Sequence, residues 1–410
     1  MIKIEDYREV APRGTVDLLL RLAERVRDRR FLHISAARYG GGVAEILQRL
    51  VPLLNELGVE AAWEIVGGDA DFFSASKAVY AALQGADRVI TQDMLRHYAE
   101  MNRLTAKKLP LEADLVLVHD PQPCSLVENR PREGTWIWRC HLDLSAPNRQ
   151  TWNFFRQYVA GYDAAVFSLP RFAPRLSIPQ FIIHPSIDPF SDKNRELSRQ
   201  EVRAILQSLG VPQDKPLLLQ IGQFDRYRDP VGTVNAYRIV KKHHDVRLVL
   251  ARSGATEGLE SPVVLAEVQE AAAHDPDIAV LELPPEAHVQ INALQRAATM
   301  VLHKSVRDGF ALGVAEAMWK GKPVIGGATG GIPVQIIYDV TGYTVDSVEG
   351  AAFRMRHLLN NPELIARMGG AGREHVRRNF LITRHLTDYL ALLLRFTGDA
   401  TAGARGSQPG

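Results

Sequence analysis

The sequence alternates short apolar runs with longer segments whose apolar residues have helical spacing. In the first half, the apolar runs predict strands at Phe31–Ser35, Ala61–Val66, Leu115–His119, Thr135–His141, Ala164–Ser168 and Phe181–His184. Apolar residues at i, i+3 and i+4 predict helices over 43–57, 72–84, 90–107 and 149–160. This alternation predicts an α/β fold, in which a parallel sheet is covered by helices on both faces.

A polar stretch, 186–200, interrupts the alternation, which then begins again. The second series predicts strands at Leu217–Gly222, Val246–Ala251, Ala279–Leu283, Met300–His303 and Pro323–Gly326, and helices over 230–243, 262–273, 286–297 and 312–320. Because a chain of 410 residues is longer than one core usually supports, we predict two Rossmann-like domains, 1–188 and 197–379, facing each other across a ligand-binding cleft. Within a helical tail at 362–396, residues 380–396 are expected to pack back on the first domain, and 397–410 to be disordered.

The composition argues against several classes of partner. Lys and Arg total 49 against 47 acidic residues, and no basic stripe with interleaved aromatics occurs, which argues against a nucleic-acid partner. No apolar run approaches the length of about 18 residues that a membrane span needs. Cys124 and Cys140 form no metal-binding or disulfide pattern, so we expect no structural metal and a cytoplasmic location. The sequence is compatible with a homodimer but leaves the oligomeric state open.

The segment Ser305–Glu316 is the most informative part of the chain, because a strand ends there, a glycine-containing turn follows and a helix begins. Unpaired amides at a helix start attract phosphate. A diphosphate is therefore predicted to contact the backbone of Gly309, Phe310, Ala311 and Leu312. Asp308 at the mouth and Glu316 in the helix would accept hydrogen bonds from sugar and ribose hydroxyls. The alternative is that Asp308 caps the helix and Glu316 is a solvated helix residue.

A glycine run at 40–42 follows a predicted strand and precedes an amphipathic helix. Glycine lets backbone amides approach an anion closely, so Gly41 and Gly42 are predicted to contact the donor. The run differs from the dinucleotide pattern G-x-G-x-x-G, and no acidic residue closes the following strand. A nicotinamide-dependent dehydrogenase is therefore not favoured.

Residues 305–316, continued by Ala317–Ile325 and Gly330–Val334, resemble the Glu-x-seven-Glu motif of retaining GT-B glycosyltransferases. The glycine run and three further segments resemble the trehalose-synthesising glucosyltransferases in particular, the segments being Val118–Pro123, Trp138–Ser145 and Pro185–Pro189. The resemblance spans nearly the whole chain. It implies a GT-B fold, no cofactor or metal, and transfer of glucose from a nucleoside diphosphate glucose to glucose, which yields trehalose.

The resemblance also implies roles for individual residues. Asp308 would bind hydroxyls of the transferred sugar, Glu316 would bind ribose, and His141 would hydrogen-bond the donor sugar near its reacting face. The acceptor hydroxyls would be contacted by Glu45, Asp120 and Gln122. Without the resemblance, His141 would be interpreted as a satisfied core histidine and 119–121 as a turn.

The segment Gly222–Asp229 departs most from the pattern Ser-Arg-Phe-Asp-Pro-x-Lys-Gly, which the resemblance leads us to expect. In that pattern the Arg and Lys neutralise the leaving diphosphate, where negative charge grows during transfer. Gln223 replaces the Arg and is predicted to contact the donor, whereas Arg228 replaces the Lys and keeps its charge. Arg228, Asp308 and His141 are therefore the predicted catalytic residues. Arg226 is an extra cation that could compensate for Gln223, and Asp229 in place of Gly would oppose diphosphate binding.

Two alternatives share this motif set. A retaining trehalose phosphorylase has the same fold and uses inorganic phosphate. A degenerate homologue would bind a sugar or nucleotide with little transfer, an alternative motivated by Gln223, Asp229 and by Asp308 in place of Glu. The sequence separates neither from the transferase and does not reveal which base the donor carries.

Overall fold

The computed structural model describes residues 2–39, 41–86, 88–252 and 261–398. The strands, numbered along the chain, are β1 (Arg30–Ser35), β2 (Glu60–Ile65), β3 (Leu115–His119), β4 (Thr135–Cys140), β5 (Ala164–Phe167), β6 (Gln180–Ile182), β7 (Leu217–Gly222), β8 (Arg247–Arg252), β9 (Ile278–Glu282), β10 (Met300–His303), β11 (Val324–Gly327) and β12 (Gly342–Val345). The helices are α1 (Thr15–Arg25), α2 (Gly42–Glu56), α3 (Ala70–Leu83), α4 (Gln92–Ala106), α5 (Arg149–Val159), α6 (Arg199–Ser208), α7 (Pro230–Lys241), α8 (Ser261–Ala272), α9 (His288–Ala297), α10 (Leu312–Trp319), α11 (Ile332–Gln335), α12 (Val348–Leu359), α13 (Pro362–Asn379) and α14 (Ile382–Thr397).

The chain divides into two compact units. The first unit comprises the residues up to Pro185 and those from Ile382 onward, so that α14 belongs to it. Its described residues form a sheet of six parallel strands in the order β2-β1-β3-β4-β5-β6. Strands β3 and β5 are buried along their whole length, as expected for a parallel sheet with covered faces. Trp136 and Trp138 of β4 are fully buried in the core.

The second unit comprises Ser186–Leu381. Its described residues also form a sheet of six parallel strands, in the order β12-β11-β10-β7-β8-β9. Its core is built from apolar strand residues such as Leu218, Leu248, Met300 and Ile325. Strands β7 and β11 flank β10, so the loops that follow these three strands emerge side by side at one edge of the sheet.

The predicted α/β class with parallel sheets is confirmed. The predicted strands, and the helices predicted before residue 362, begin and end within two residues of observed elements. Five of these helices and strands were not predicted: α1, α6, α11, β12 and α12. Helix α6 begins inside the polar stretch, where Ser198 and Glu201 form a reciprocal capping box that the sequence could have revealed. No helix among the described residues combines the length and apolarity that a bilayer span requires.

The predicted helical tail at 362–396 is present as two helices, because the chain breaks between α13 and α14. Leu381 pairs with Ile187 as a parallel bridge, and the Ile187 amide donates to the Phe380 carbonyl at 2.8 Å. This extended pairing interrupts the helix. Of residues 397–410, which are expected to be disordered, Thr397 is the last residue of α14, and 399–410 lie outside the described residues.

Candidate active site

Two loops of the second unit are joined at the sheet edge. The loop after β7 carries Arg228, and the loop after β10 carries Asp308. The Val306 amide donates to the Tyr227 carbonyl at 2.8 Å, which ties one loop to the other. Gln220, in β7, donates from Nε2 to the Arg228 carbonyl at 2.9 Å. The Arg228 side chain is therefore held beside the β10 loop by its backbone contacts.

Asp308 is the centre of a buried polar cluster. Its Oδ2 atom forms an ion pair with Arg228 Nη1, lies 2.8 Å from His303 Nε2 and accepts from Ser305 Oγ at 3.0 Å. Burial raises the pKa of Asp308, but the hydrogen bond with His303 and the charge of Arg228 outweigh it and lower this pKa to about 2. The carboxylate is thus ionised near neutral pH, and among the described residues its Oδ1 atom has no hydrogen-bond partner.

Asp229 also has a cationic partner. It forms an ion pair with Lys304 Nζ, and its Oδ1 caps α7 by accepting from the Gly232 amide at 3.0 Å. Its φ of 48° lies in the left-handed region that glycine adopts most easily, which accounts for the glycine of the expected pattern. Asp229 is therefore not an isolated negative charge, and Lys304 is a cation that the sequence prediction missed.

Arg226 and Gln223 lie outside this ionic cluster. Arg226 is exposed and pairs with Glu267 of α8 at 2.8 Å. That contact directs the Arg226 charge to a surface carboxylate instead of Asp308. Gln223 is exposed immediately after β7. The suggestion that Arg226 compensates for Gln223 thus gains no support from its contacts.

The helix start predicted near Ala311 is present. Ala311 is the N-cap residue of α10 with a φ of 64°, and no side chain caps this helix. The alternative in which Asp308 is the cap is therefore wrong. The loop before α10 lies against two glycines: a Cβ on Gly330 would be 2.3 Å from the Gly309 carbonyl, and the Gly331 amide donates to that carbonyl at 2.7 Å. Gln335 donates to the carbonyl of the buried Phe310, which fixes the loop further.

Glu316 is buried on α10, so the alternative of a solvated helix residue is also wrong. Its Oε1 lies 4.0 Å from Lys193 Nζ. Lys320, one turn later, donates from Nζ to the Glu316 carbonyl at 3.0 Å and to Asn194 Oδ1 at 2.8 Å. Burial lowers the pKa of Lys320 to about 7, although the charge of Glu316 raises it. The Glu316 carboxylate therefore has Lys193 as its nearest cationic neighbour among the described contacts, whereas Lys320 contacts the Glu316 backbone.

The first unit contains a pocket of about 210 Å³ at the carboxyl ends of its strands. It is lined by Ser35, Ala36, Ala37, Gly41, Gly42, Val43, Ala44, Tyr80, His119, Asp120 and Gln122, and we call it the first-unit pocket. Four of the predicted site residues meet there, namely Gly41, Gly42, Asp120 and Gln122. Glu45 lies in the first turn of α2 and does not line the pocket. His141 follows β4, and its amide donates to Asp120 Oδ1 at 2.8 Å.

Two pocket residues have polar atoms in unusual environments. Asp120 has a φ of 64°, and burial raises the pKa of its carboxyl to about 6 against the lowering effects of the His141 amide and Arg139. Gln122 Oε1 is buried and has no hydrogen-bond partner among the described residues. The pocket therefore offers one carboxylate and one amide oxygen to a ligand that donates hydrogen bonds.

Three histidines lie in a row behind this pocket. His33 Nδ1 is 3.1 Å from His119 Nε2, and His119 Nδ1 is 3.3 Å from His141 Nε2. The sequence prediction singled out His141 but not His33, because only the strand order brings β1, β3 and β4 together. Within the described residues, no group of three or more His, Cys, Asp or Glu side chains could hold a metal ion.

Two family models match separate parts of the chain, and related proteins match almost all of it. Residues 33–174 match the model described as trehalose synthase, N-terminal domain, and residues 201–375 match glycosyl transferases group 1. The chain is 40% identical to a trehalose synthase of Pyrococcus horikoshii, across 95% of this chain and 96% of that protein. It is 42% identical to a trehalose synthase of Rubrobacter xylanophilus, across 96% and 97%. A trehalose phosphorylase of Grifola frondosa is 24% identical across 91% of this chain and 58% of that protein.

Solved structures resemble the fold at lower sequence identity. A trehalose 6-phosphate synthase of Burkholderia multivorans has a TM-score of 0.73 at 14% identity, covering 94% of this chain and 99% of that one. A sucrose-phosphate synthase of Thermosynechococcus elongatus has a TM-score of 0.68 at 18% identity, covering 90% and 98%. These similarities confirm the predicted GT-B fold.

Proposed function

This chain belongs to the trehalose synthase family of glycosyltransferases, and we propose that it transfers glucose from a nucleoside diphosphate glucose to free glucose, forming trehalose. The proposal includes retention of configuration at the transferred carbon and independence of a divalent metal. The lining of the first-unit pocket is the observation that carries the choice of acceptor.

That lining favours a neutral sugar over a sugar phosphate. Among the lining residues that the structure describes there is no Lys or Arg, whereas Asp120 contributes a carboxylate. Arg38, in the loop beside the pocket, donates to the Trp63 carbonyl at 3.1 Å and lies over the Trp63 ring. Phosphate recognition normally uses Arg or Lys, and a carboxylate would repel a phosphate. Hydroxyl groups of glucose, in contrast, can donate to Asp120 and to Gln122 Oε1.

The donor diphosphate is assigned to the second unit, at the start of α10. Arg228 and Lys304 supply positive charge there. The backbone amides from Gly309 to Leu312 lie at the start of α10, which no side chain caps. Positive charge at this position would stabilise the leaving diphosphate, on which negative charge grows as its bond to the sugar breaks. This electrostatic contribution supports transfer without a divalent metal.

The bond changes require no side-chain nucleophile. The bond between the glucose anomeric carbon and the diphosphate oxygen breaks, and a bond from that carbon to the acceptor hydroxyl oxygen forms on the same face. The acceptor proton passes to the leaving phosphate oxygen. The side chains then contribute orientation and charge stabilisation.

The test measures release of nucleoside diphosphate from each common nucleoside diphosphate glucose, with glucose, with glucose 6-phosphate and with no acceptor. We expect release that depends on glucose, trehalose with both anomeric centres in the α configuration by NMR, weak turnover with glucose 6-phosphate and full activity in EDTA. No glucose-dependent release with any donor would reject the proposal. Phosphorolysis of trehalose by inorganic phosphate would identify a phosphorylase instead, and calorimetric donor binding without turnover would identify a degenerate homologue.

A further inference from the structure

His33, His119 and His141, which we call the histidine row, step across three neighbouring strands of the first unit. His33 lies in β1, His119 ends β3 and His141 directly follows β4. Two nitrogen-to-nitrogen contacts of 3.1 Å and 3.3 Å connect them, from His33 Nδ1 to His119 Nε2 and from His119 Nδ1 to His141 Nε2. His33 and His119 are buried, whereas His141 is half-buried.

All three imidazoles are neutral near pH 7. Burial lowers the pKa of His33 to about 3 and holds those of His119 and His141 well below their usual range, with a further lowering from the charge of Arg139 on the latter two. A neutral imidazole has one N–H donor and one accepting nitrogen. The two hydrogen bonds must therefore run in the same direction, either from His33 towards His141 or the reverse.

The buried end of the row determines that direction. His33 Nε2 is buried and has no hydrogen-bond partner among the described residues. The rings of Phe31 and Tyr389 lie close to it, with centroids 4.2 Å and 5.7 Å from that of His33. An orphaned buried N–H is rarer and costlier than an unused acceptor. The His33 proton therefore lies on Nδ1, and the row donates from His33 to His119 and from His119 to His141.

We propose that His33 and His119 are positioning residues that hold His141 as the Nδ1–H tautomer, so that its ring presents a hydrogen-bond donor to an oxygen of the sugar substrate. His141 accepts at Nε2, and its Nδ1 has no hydrogen bond within the described part of the chain. The substrate contact rests on the proposed function. The tautomer itself is a property of the ligand-free protein.

The direct test is long-range ¹H–¹⁵N correlation NMR on ligand-free protein labelled with ¹⁵N-histidine, which distinguishes Nδ1–H from Nε2–H tautomers. His141→Gln assigns the His141 signals by their loss. We expect a single Nδ1–H tautomer at His141 in the wild type. An Nε2–H tautomer, or a mixture of the two, would overturn the proposal.

Variants of His33 test whether the row imposes this tautomer. His33→Leu removes the first donor and should give a tautomer mixture at His141, whereas His33→Asn keeps an amide near the position of Nδ1 and should restore the single tautomer. Phe31→Leu changes the packing beside His33 without removing a hydrogen bond, and it should leave the tautomer unchanged. A single Nδ1–H tautomer in His33→Leu, in protein shown to be folded by circular dichroism, would contradict the positioning role.

Kinetics then connect the tautomer with substrate binding. We expect kcat/KM for the donor to fall about fivefold in His33→Leu and to recover in His33→Asn, as for loss and return of one neutral hydrogen bond. A fall of the same size in both variants would contradict the inference. If no glucosyl transfer is found at all, the NMR experiment still decides the tautomer, so the two proposals fail separately.

Discussion

The two candidate sites of this protein use opposite kinds of polar chemistry. In the second unit, Asp308 is ionised and paired with Arg228, and Asp229 is paired with Lys304. In the first unit, the histidine row is neutral, and burial raises the pKa of Asp120 to about 6. One site is therefore a set of compensated charges, and the other is a set of neutral donors and acceptors around one carboxyl group.

The difference corresponds to the two substrates that we propose. A diphosphate needs cations, and in the unliganded protein the carboxylates of Asp229 and Asp308 keep those cations paired. A free sugar needs only hydrogen-bond partners, so neutral side chains suffice. Charge changes should consequently affect the donor far more than the acceptor, and the variants below test that separation.

The largest effect is expected for Arg228. Arg228→Gln should lower kcat/KM for the donor by about a hundredfold to a thousandfold, because a cation beside the leaving diphosphate is lost. The KM for glucose should change little. Initial rates of nucleoside diphosphate release measure both constants, and Arg228→Lys should recover part of the loss because it restores the charge.

Arg226→Gln is the matched control, since it removes an exposed arginine two positions away that pairs with Glu267. An exposed ion pair contributes little, so its kinetic constants should stay within about twofold of the wild type. Equal losses in the two variants would mean that general positive charge, not the Arg228 position, serves the donor.

The next effect is a pH dependence of acceptor binding. The pKa of Asp120 is raised to about 6 by burial, so this carboxyl becomes protonated as the pH falls below that value. A protonated carboxyl accepts sugar hydroxyls less well, and the KM for glucose at pH 5 should be about tenfold above its value at pH 8. Asp308 should add no pH dependence to the KM for the donor over this range, because its pKa is only about 2. Asp120→Asn should remove the glucose effect, and a profile unchanged in that variant would assign it to another group.

The raised pKa of Asp120 also makes the free energy of unfolding depend on pH. Because the pKa of Asp120 is raised above its unfolded value, the favourable contribution is fully present below the unfolded pKa, near 4, and is lost as the pH rises through about 6. The free energy of unfolding of the wild type should therefore fall relative to that of Asp120→Asn across this range, as measured by urea denaturation. A difference that is constant with pH would contradict the raised pKa.

Much of the fold and part of the proposed donor site could be predicted from the sequence, because their signals are local. Strands β3, β7 and β10 have the predicted bounds, since buried parallel strands form continuous apolar runs. The start of α10 near Ala311 was predicted from the strand, glycine turn and helix that follow one another in a single segment. Strand β12 gives no such signal, because its sequence, Gly-Tyr-Thr-Val, contains a glycine and a threonine and is not a continuous apolar run.

The parts that were missed depend on strand order. Lys304 and Asp229 are 75 residues apart and meet because β10 lies beside β7. His33 and His119 are 86 residues apart and meet because β1 lies beside β3. Apolar periodicity predicts that strands exist but does not determine which strands are neighbours. The ion pairs and hydrogen bonds between distant parts of the chain could therefore be identified only from the structure.

Asp229→Gly should have a smaller effect, which is on the binding of nucleoside diphosphate. The substitution removes the partner of Lys304, so nucleoside diphosphate binding should tighten by about fivefold, the size of one partly exposed charge interaction. The cost to folding should be only a few tenths of a kcal/mol, because glycine tolerates both the N-cap position and a φ of 48°. Isothermal titration calorimetry with nucleoside diphosphates measures the change, and weaker binding would show that Asp229 helps to place Lys304 for the donor.

The smallest effect is expected for Asp308→Glu, which restores the residue of the expected motif. The added methylene should carry the carboxylate past Arg228 and Ser305 towards the sugar, so the donor KM should fall about threefold, the equivalent of part of one hydrogen bond. Because Asp308 is buried, the longer side chain should also lower the unfolding midpoint by overpacking. A loss of kcat with an unchanged donor KM would have a different meaning: the shorter carboxylate would be required to hold Arg228 against the leaving diphosphate, and the aspartate would be an adaptation of this site.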